Sequence, residues 1–129
     1  MRHSFFILIL FPVIGFAQTS NHLNDLVVKD STANFNSIPL GSDSLSSAFL
    51  IVIKNEVKSH KHVYHTENVY IIEGTGHMTM GDKEFDVKPG DHFFIPKGIY
   101  HGVKVTSTKP LKLLSVQSPY SDGTDRVFE

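Results

Sequence analysis

Three histidines and one glutamate, His60, His62, Glu67 and His101, have the types and spacing of ligands for a single metal ion. They lie in two blocks, HKHVYHTENVYIIEG (60–74) and GDHFFIPKGIYH (90–101), each strand-like and edged by turn glycines. Successive side chains of a strand point to opposite faces, so His60 and His62 project on one side, roughly 6.5–7 Å apart. Two imidazoles at that separation can converge on one ion at the usual ~2.0–2.1 Å. Glu67 follows a chain reversal and opens an expected adjacent antiparallel strand, NVYII (68–72). His101 follows another strand, DHFFI (91–95), and a Pro96-Lys97-Gly98 turn. A closed barrel gathers such distant positions at one point of its lumen. Imidazole and carboxylate donors suit one divalent transition metal: manganese, zinc, iron and nickel all fit, as do cobalt and copper. Three neutral imidazoles and one carboxylate leave such an ion a Lewis acid, with positions open to water, oxygen or a chelating substrate.

The elements that must position these residues are short β-rich runs from Ala48 onward: 48–53, 68–72, 77–80, 84–87, 92–95, 101–105 and 111–116. Gly74-Thr75-Gly76, Gly81-Asp82, Pro89-Gly90 and Lys109-Pro110 punctuate them, and no helical period of useful length appears. Short strands divided by Gly and Pro turns predict an all-β barrel or sandwich. Residues 18–47 are polar and mixed, with turn chemistry at Pro39-Leu40-Gly41, and read as an N-terminal arm carrying one or two edge strands. Residues 118–129 form a polar C-terminal tail with Tyr120 and Phe128, placed over a barrel mouth or against a dimer partner.

Residue by residue, the chain resembles the cupin superfamily, and in particular its small single-domain, RmlC-like members. The family's first motif, G-x5-H-x-H-x(3,4)-E-x6-G, is matched by His60, His62, Glu67 and Gly74. Its second, G-x5-P-x-G-x2-H-x3-N, is matched by Gly90, Pro96, Gly98 and His101. Two positions depart: Lys54 stands at the first motif's opening glycine and Val105 at the second's closing asparagine. Neither is a ligand position in the family. The resemblance implies a single cupin-type double-stranded β-helix (jelly roll) barrel with its core at 48–117 and one divalent metal on His60, His62, Glu67 and His101. It also implies a homodimer formed through the arm or an edge strand, because exposed sheet edges invite pairing.

Residues 1–17, MRHSFFILILFPVIGFA, read as a secretory signal peptide: a positive start at Arg2, an apolar run from Phe5 to Phe16, and small residues Gly15 and Ala17 before an expected cleavage after Ala17. The run is shorter than the ~20 apolar residues that span a bilayer, and Pro12 interrupts it. With no cysteine there is no disulfide, thiolate ligand or lipid-modified cysteine anchor. An exported protein, periplasmic or secreted and free of the membrane after cleavage, is the expectation. Without Arg2, eleven basic residues face thirteen acidic ones with no basic run, which argues against nucleic acid as a partner.

Other residues near the motifs carry weaker expectations. His65 reads as a solvent-exposed turn residue, while His77 and His92 begin strands and stay off the ligand set. Tyr64, Tyr70 and Tyr100 could offer a hydroxyl to a substrate, but strand parity turns Tyr70 and Tyr100 away from the ligands. Phe49, Phe85, Phe93, Phe94, Met78 and Met80 read as core or interface. His65 and Glu73 are the candidate general bases outside the ligands. The partner expected is a small molecule. The function that follows is a metal-dependent enzyme acting on a small oxygenated metabolite such as a sugar, sugar acid or keto acid, by isomerase, epimerase or lyase chemistry. The alternatives are an iron-dependent dioxygenase and a non-catalytic carbohydrate- or small-molecule-binding protein, since one fold hosts many chemistries.

Overall fold

The computed structural model describes residues 20–28 and 32–129; the expected signal peptide lies outside them. Ten strands form, with no helix among the described residues: β1 Phe35–Ser42, β2 Ser47–Ile53, β3 Glu56–Lys61, β4 Thr66–Glu73, β5 Gly76–Met80, β6 Lys83–Val87, β7 His92–Ile95, β8 His101–Val105, β9 Leu111–Ser118 and β10 Val127–Phe128. They make two five-stranded antiparallel sheets, in the orders β1-β2-β9-β4-β7 and β10-β3-β8-β5-β6. Only β1–β2 and β5–β6 are neighbours both in sequence and in a sheet; every other connection crosses from one sheet to the other. That repeated crossing rolls the chain into a double-stranded β-helix, or jelly roll, with the core between the sheets.

Alternation decides what faces inward. In β9, Leu111, Leu113, Ser115 and Gln117 are buried, while the residues between them are half-exposed. In β4 the inward row is Glu67, Val69 and Ile71. Antiparallel pairing of these two strands sets Glu67 opposite Gln117, Val69 opposite Ser115 and Ile71 opposite Leu113. The inward rows therefore run from apolar at one end of the barrel to polar at the other. Ile51, Ile53, Met78 and Val87 join the apolar core, and Ile95, opposite Glu67 on β7, carries it up to the polar end.

Several expectations need correction. Glu67 is not on a strand adjacent to that of His60: β4 belongs to the opposite sheet, because the chain crosses over between them. The turn expected at Pro39-Leu40-Gly41 is a bulge inside β1, where the register on β2 shifts between Pro39 and Gly41. A proline is tolerated there because β1 is an edge strand. Of the two places expected for Phe94, core or interface, the core is ruled out: it stands on the outer face of edge strand β7, 58% exposed. The family's missing turn glycine is accommodated in another way. Lys54 needs no left-handed backbone, and the Asn34 side chain ties the β2–β3 turn by accepting from Asn55 N at 2.9 Å and donating to Glu56 O at 2.7 Å. Gly74, which closes the first motif, does require its residue type. Its φ is +81°, and a Cβ would sit 2.6 Å from Pro110 O.

Candidate metal centre

His60 reaches the lumen because β3 is irregular. Val57 pairs with Val103 and His60 with His101, so β3 spends one more residue than β8 over this stretch, a β-bulge. In an unbroken strand residues three apart would face opposite sides; the bulge turns both Val57 and His60 inward, where they line one cavity. Gly102 makes room for it, since a Cβ there would lie 2.9 Å from Val57 O and 3.1 Å from Ser59 N. His62 follows β3, with its carbonyl accepting from Gly98 N at 2.7 Å, which joins the first motif to the Pro96-Lys97-Gly98 turn of the second. His101 opens β8 directly opposite His60.

All four residues are buried and line the same cavity. One ring nitrogen from each of His60, His62 and His101 lies within 4.8 Å of the others. Glu67 Oε2 completes the cluster, 3.4 Å from His62 Nε2 and 3.2 Å from His101 Nε2. The other nitrogen of each ring is committed. His60 Nδ1 donates to Lys58 O and His101 Nδ1 to Ile99 O, both at 3.0 Å, and His62 Nδ1 bonds Asp125 O. A backbone carbonyl can only accept, so Nδ1 carries a proton and each ring, when neutral, presents its Nε2 lone pair to the lumen, the tautomer that metal-bound imidazoles use. His101 Nε2 is buried with no hydrogen bond, although a carboxylate oxygen faces it. A cation between the two satisfies both, as a proton on Nε2 does. The residues present therefore fit a divalent ion.

The charges agree. Burial and the nearby His101 lower the His60 pKa to about 4, keeping that imidazole neutral. Burial opposes protonation of His62 too, but Glu67 and Asp125 more than compensate and raise its pKa. Burial works against ionising Glu67, yet His101, His62 and the Ser115 hydroxyl hold it well below the usual carboxylate range. Glu67 Oε1 is held from behind by Ser115 Oγ and, at 3.5 Å, by Gln117 Nε2, leaving Oε2 to the lumen.

The sequence reading missed the residues around the ligands. Ser115 and Gln117 were detectable in principle, as polar residues in phase with Leu111 and Leu113. His65 is buried rather than exposed: Nδ1 lies 2.7 Å from Asp125 Oδ2 and Nε2 2.8 Å from Tyr120 O, so it clasps the C-terminal tail. Asp125 also accepts from Val63 N and Tyr64 N at 3.1 and 2.8 Å. His62, His65 and Asp125 form a second group with ligand-like atoms, but these contacts already occupy it. The clasped tail brings Arg126 to the same cavity. His77 is exposed and pairs with Asp86 and Glu84, and exposed His92 meets Asn68; neither belongs to the site. Tyr64 and Tyr70 are exposed, and Tyr100 lies under the Lys61 ammonium.

The family model described as the cupin domain matches residues 49–117, just over half of the 129-residue chain. The chain belongs to the cupin family. An uncharacterized protein of Methanocaldococcus jannaschii is 34% identical over 87 residues, covering 67% of this cupin and 69% of that relative. A mannose-1-phosphate guanylyltransferase of Salmonella muenchen is 25% identical over 109 residues, 82% of this chain but only 23% of the transferase. Among solved structures, the TT1209 protein from Thermus thermophilus superposes with a TM-score of 0.69 at 26% identity, covering 78% of this chain and 96% of its own. An RmlC-like cupin from Shewanella frigidimarina gives 0.68 at 22% identity, covering 82% and 95%, and shows the shared fold.

Proposed function

We propose that this cupin is an exported, metal-dependent enzyme that acts on a small oxygenated metabolite, a sugar, sugar acid or keto acid, by isomerase, epimerase or lyase chemistry. One observation carries the reading: three buried imidazoles, each with Nδ1 tied to a backbone carbonyl, bring ring nitrogens together, and the Glu67 carboxylate lies 3.4 Å from Nε2 of His62 and 3.2 Å from Nε2 of His101. His60, His62, Glu67 and His101 would hold the ion. A divalent ion bound there supplies Lewis acidity toward ligand oxygens. The chain does the rest. Ser115 and Gln117 fix the Glu67 carboxylate, and the apolar walls exclude water and strengthen every charge interaction inside. Manganese, zinc, iron and nickel all suit this donor set.

A second reading, a binding protein without turnover, is favoured by what the lumen lacks. Neither candidate base lies in it: His65 is engaged with the tail, and Glu73 is bonded to Lys109 at 2.9 Å on the surface. Besides the four ligand residues, Arg126 is the one titratable residue lining the cavity among those described.

The test is proton NMR in deuterium oxide on protein reconstituted with each metal and given a panel of sugars, sugar acids and keto acids. Metal-dependent exchange or conversion at a carbon next to a carbonyl is the expected result. Saturable binding with no exchange would establish the binding protein instead, and oxygen uptake with iron alone would establish a dioxygenase. Export is tested by the N-terminal residue of protein recovered outside the cytoplasm, expected at Gln18. Light scattering tests the homodimer proposed through the N-terminal arm or an edge strand.

A further inference from the structure

Outside the metal ligands the lumen is mostly a hydrocarbon wall, with Ile51, Ile53, Val69, Ile71, Leu111 and Leu113 among its residues. Such a wall offers no partner to a row of sugar hydroxyls, and a hydroxyl buried unpaired is penalised by its lost hydration. Two polar groups break the wall besides the ligands. Gln117 Oε1 is a buried acceptor with no hydrogen-bond partner among the described residues. The other is Arg126.

Arg126 is half-buried at the cavity, and its guanidinium carbon lies 4.5 Å from the centre of the Phe35 ring. Contact with an aromatic face satisfies none of a guanidinium's five N–H donors, which leave along its edge and match a carboxylate in pairs. Among the described residues no carboxylate stands within ion-pair reach and the side chain has no hydrogen bond; the negative charge that acts on it is Glu67, at longer range. Its position is not left to a free tail. The preceding residue, Asp125, is fixed by two backbone N–H groups and His65, and the following residues pair with β3. A cation is thus delivered to an apolar cavity without a counter-ion of its own.

We infer that Arg126 is the anion-binding residue of the site, and that the ligand is a short 2-oxo or 2-hydroxy carboxylic acid with an apolar chain rather than a polyhydroxylated sugar. The carboxylate meets Arg126, the neighbouring oxygen faces the four-residue cluster, and the chain lies on the hydrocarbon wall. This inference rests on the ligand-binding reading above, but its test separates the two.

Arg2 and Arg126 are the two arginines of the chain, so the Arg126 Nε–H resonance of 15N-labelled protein is assigned by its loss in Arg126→Gln. The protein, metal-free and with zinc added, is titrated with 2-oxopentanoate and with its uncharged analogue 2-oxopentanamide. The acid is expected to shift the Arg126 resonance saturably and the amide to leave it in place. Arg126→Gln is expected to weaken acid binding at least tenfold without altering amide binding, and Arg126→Lys to recover part of the loss. An unmoved Arg126 resonance, equal binding of acid and amide, or no binding of the acid would each overturn the inference. An Arg126 response in protein that takes up no zinc would retire the metal reading and keep Arg126. Zinc uptake with a silent Arg126 would do the reverse.

Discussion

Glu67 divides its two oxygens between two tasks. Oε1 takes the Ser115 hydroxyl and the Gln117 amide, so Oε2 is aimed where the histidine nitrogens converge. Partners that orient a ligand in this way typically contribute 10- to 100-fold to metal affinity. Ser115→Ala is therefore expected to weaken zinc binding by about that factor while leaving the fold intact, read by competition with a chromophoric chelator. An affinity equal to wild type would show that the carboxylate needs no such support. At this scale the H-x-H pair, the glutamate and the later histidine were legible, because their spacing is local or anchored to a glycine and a proline. His65 was not. Its burial is created by Asp125 and Tyr120, 60 and 55 residues further on, and no local pattern reports a contact of that range.

The β3 bulge is the element on which the site turns, and Gly102 is its counterpart on β8. Gly102→Ala would press a methyl group against Val57 O and the Ser59 backbone, an overpacking expected to cost about 1–3 kcal/mol in denaturant unfolding. Because His60 lies just past the bulge, metal affinity should fall in the same variant; stability lost with affinity unchanged would mean that the bulge does not set the histidine. The tail clasp has its own pH dependence. Burial opposes ionisation of Asp125, but Tyr64 N, Val63 N and His65 override it and leave its pKa below the ordinary aspartate value of 3.8. A depressed folded-state pKa means that the stabilisation is complete above about pH 4 and disappears as pH falls through the folded value. Hydrogen exchange at Val63 and Tyr64 should therefore accelerate below pH 4 beyond its intrinsic change, and Asp125→Asn should remove that acceleration. The seven runs recognised in the sequence correspond to strands because each alternates or is continuously apolar. β3 was missing from them as a run in its own right, since EVKSHK is polar and its bulge breaks the alternation. β10 was missing because two residues carry no period.

At the scale of the whole molecule, the four candidate ligand residues come from both sheets: β3, its following turn and β8 on one side, β4 on the other. An ion bound between them would stitch the sheets across the polar end of the barrel. A ligand that binds only the folded state stabilises it by mass action, about 2.7 kcal/mol at a hundred times its Kd. Zinc or manganese should thus raise the melting temperature in a concentration-dependent way, a chelator should reverse it, and Glu67→Gln should shrink the response. The jelly roll itself was legible from the motifs and the turn spacing. Which strand faces which was not, since a crossover between sheets and a turn within one look alike in sequence. The central claim is that the lumen holds one divalent ion on His60, His62, Glu67 and His101. Elemental analysis of protein purified without chelator or an imidazole column, beside the His60→Ala/His62→Ala double variant, tests it most directly. About one equivalent of a transition metal in the wild type and none in the variant is the predicted result. Less than a tenth of an equivalent, not restored by any added divalent ion, would contradict it.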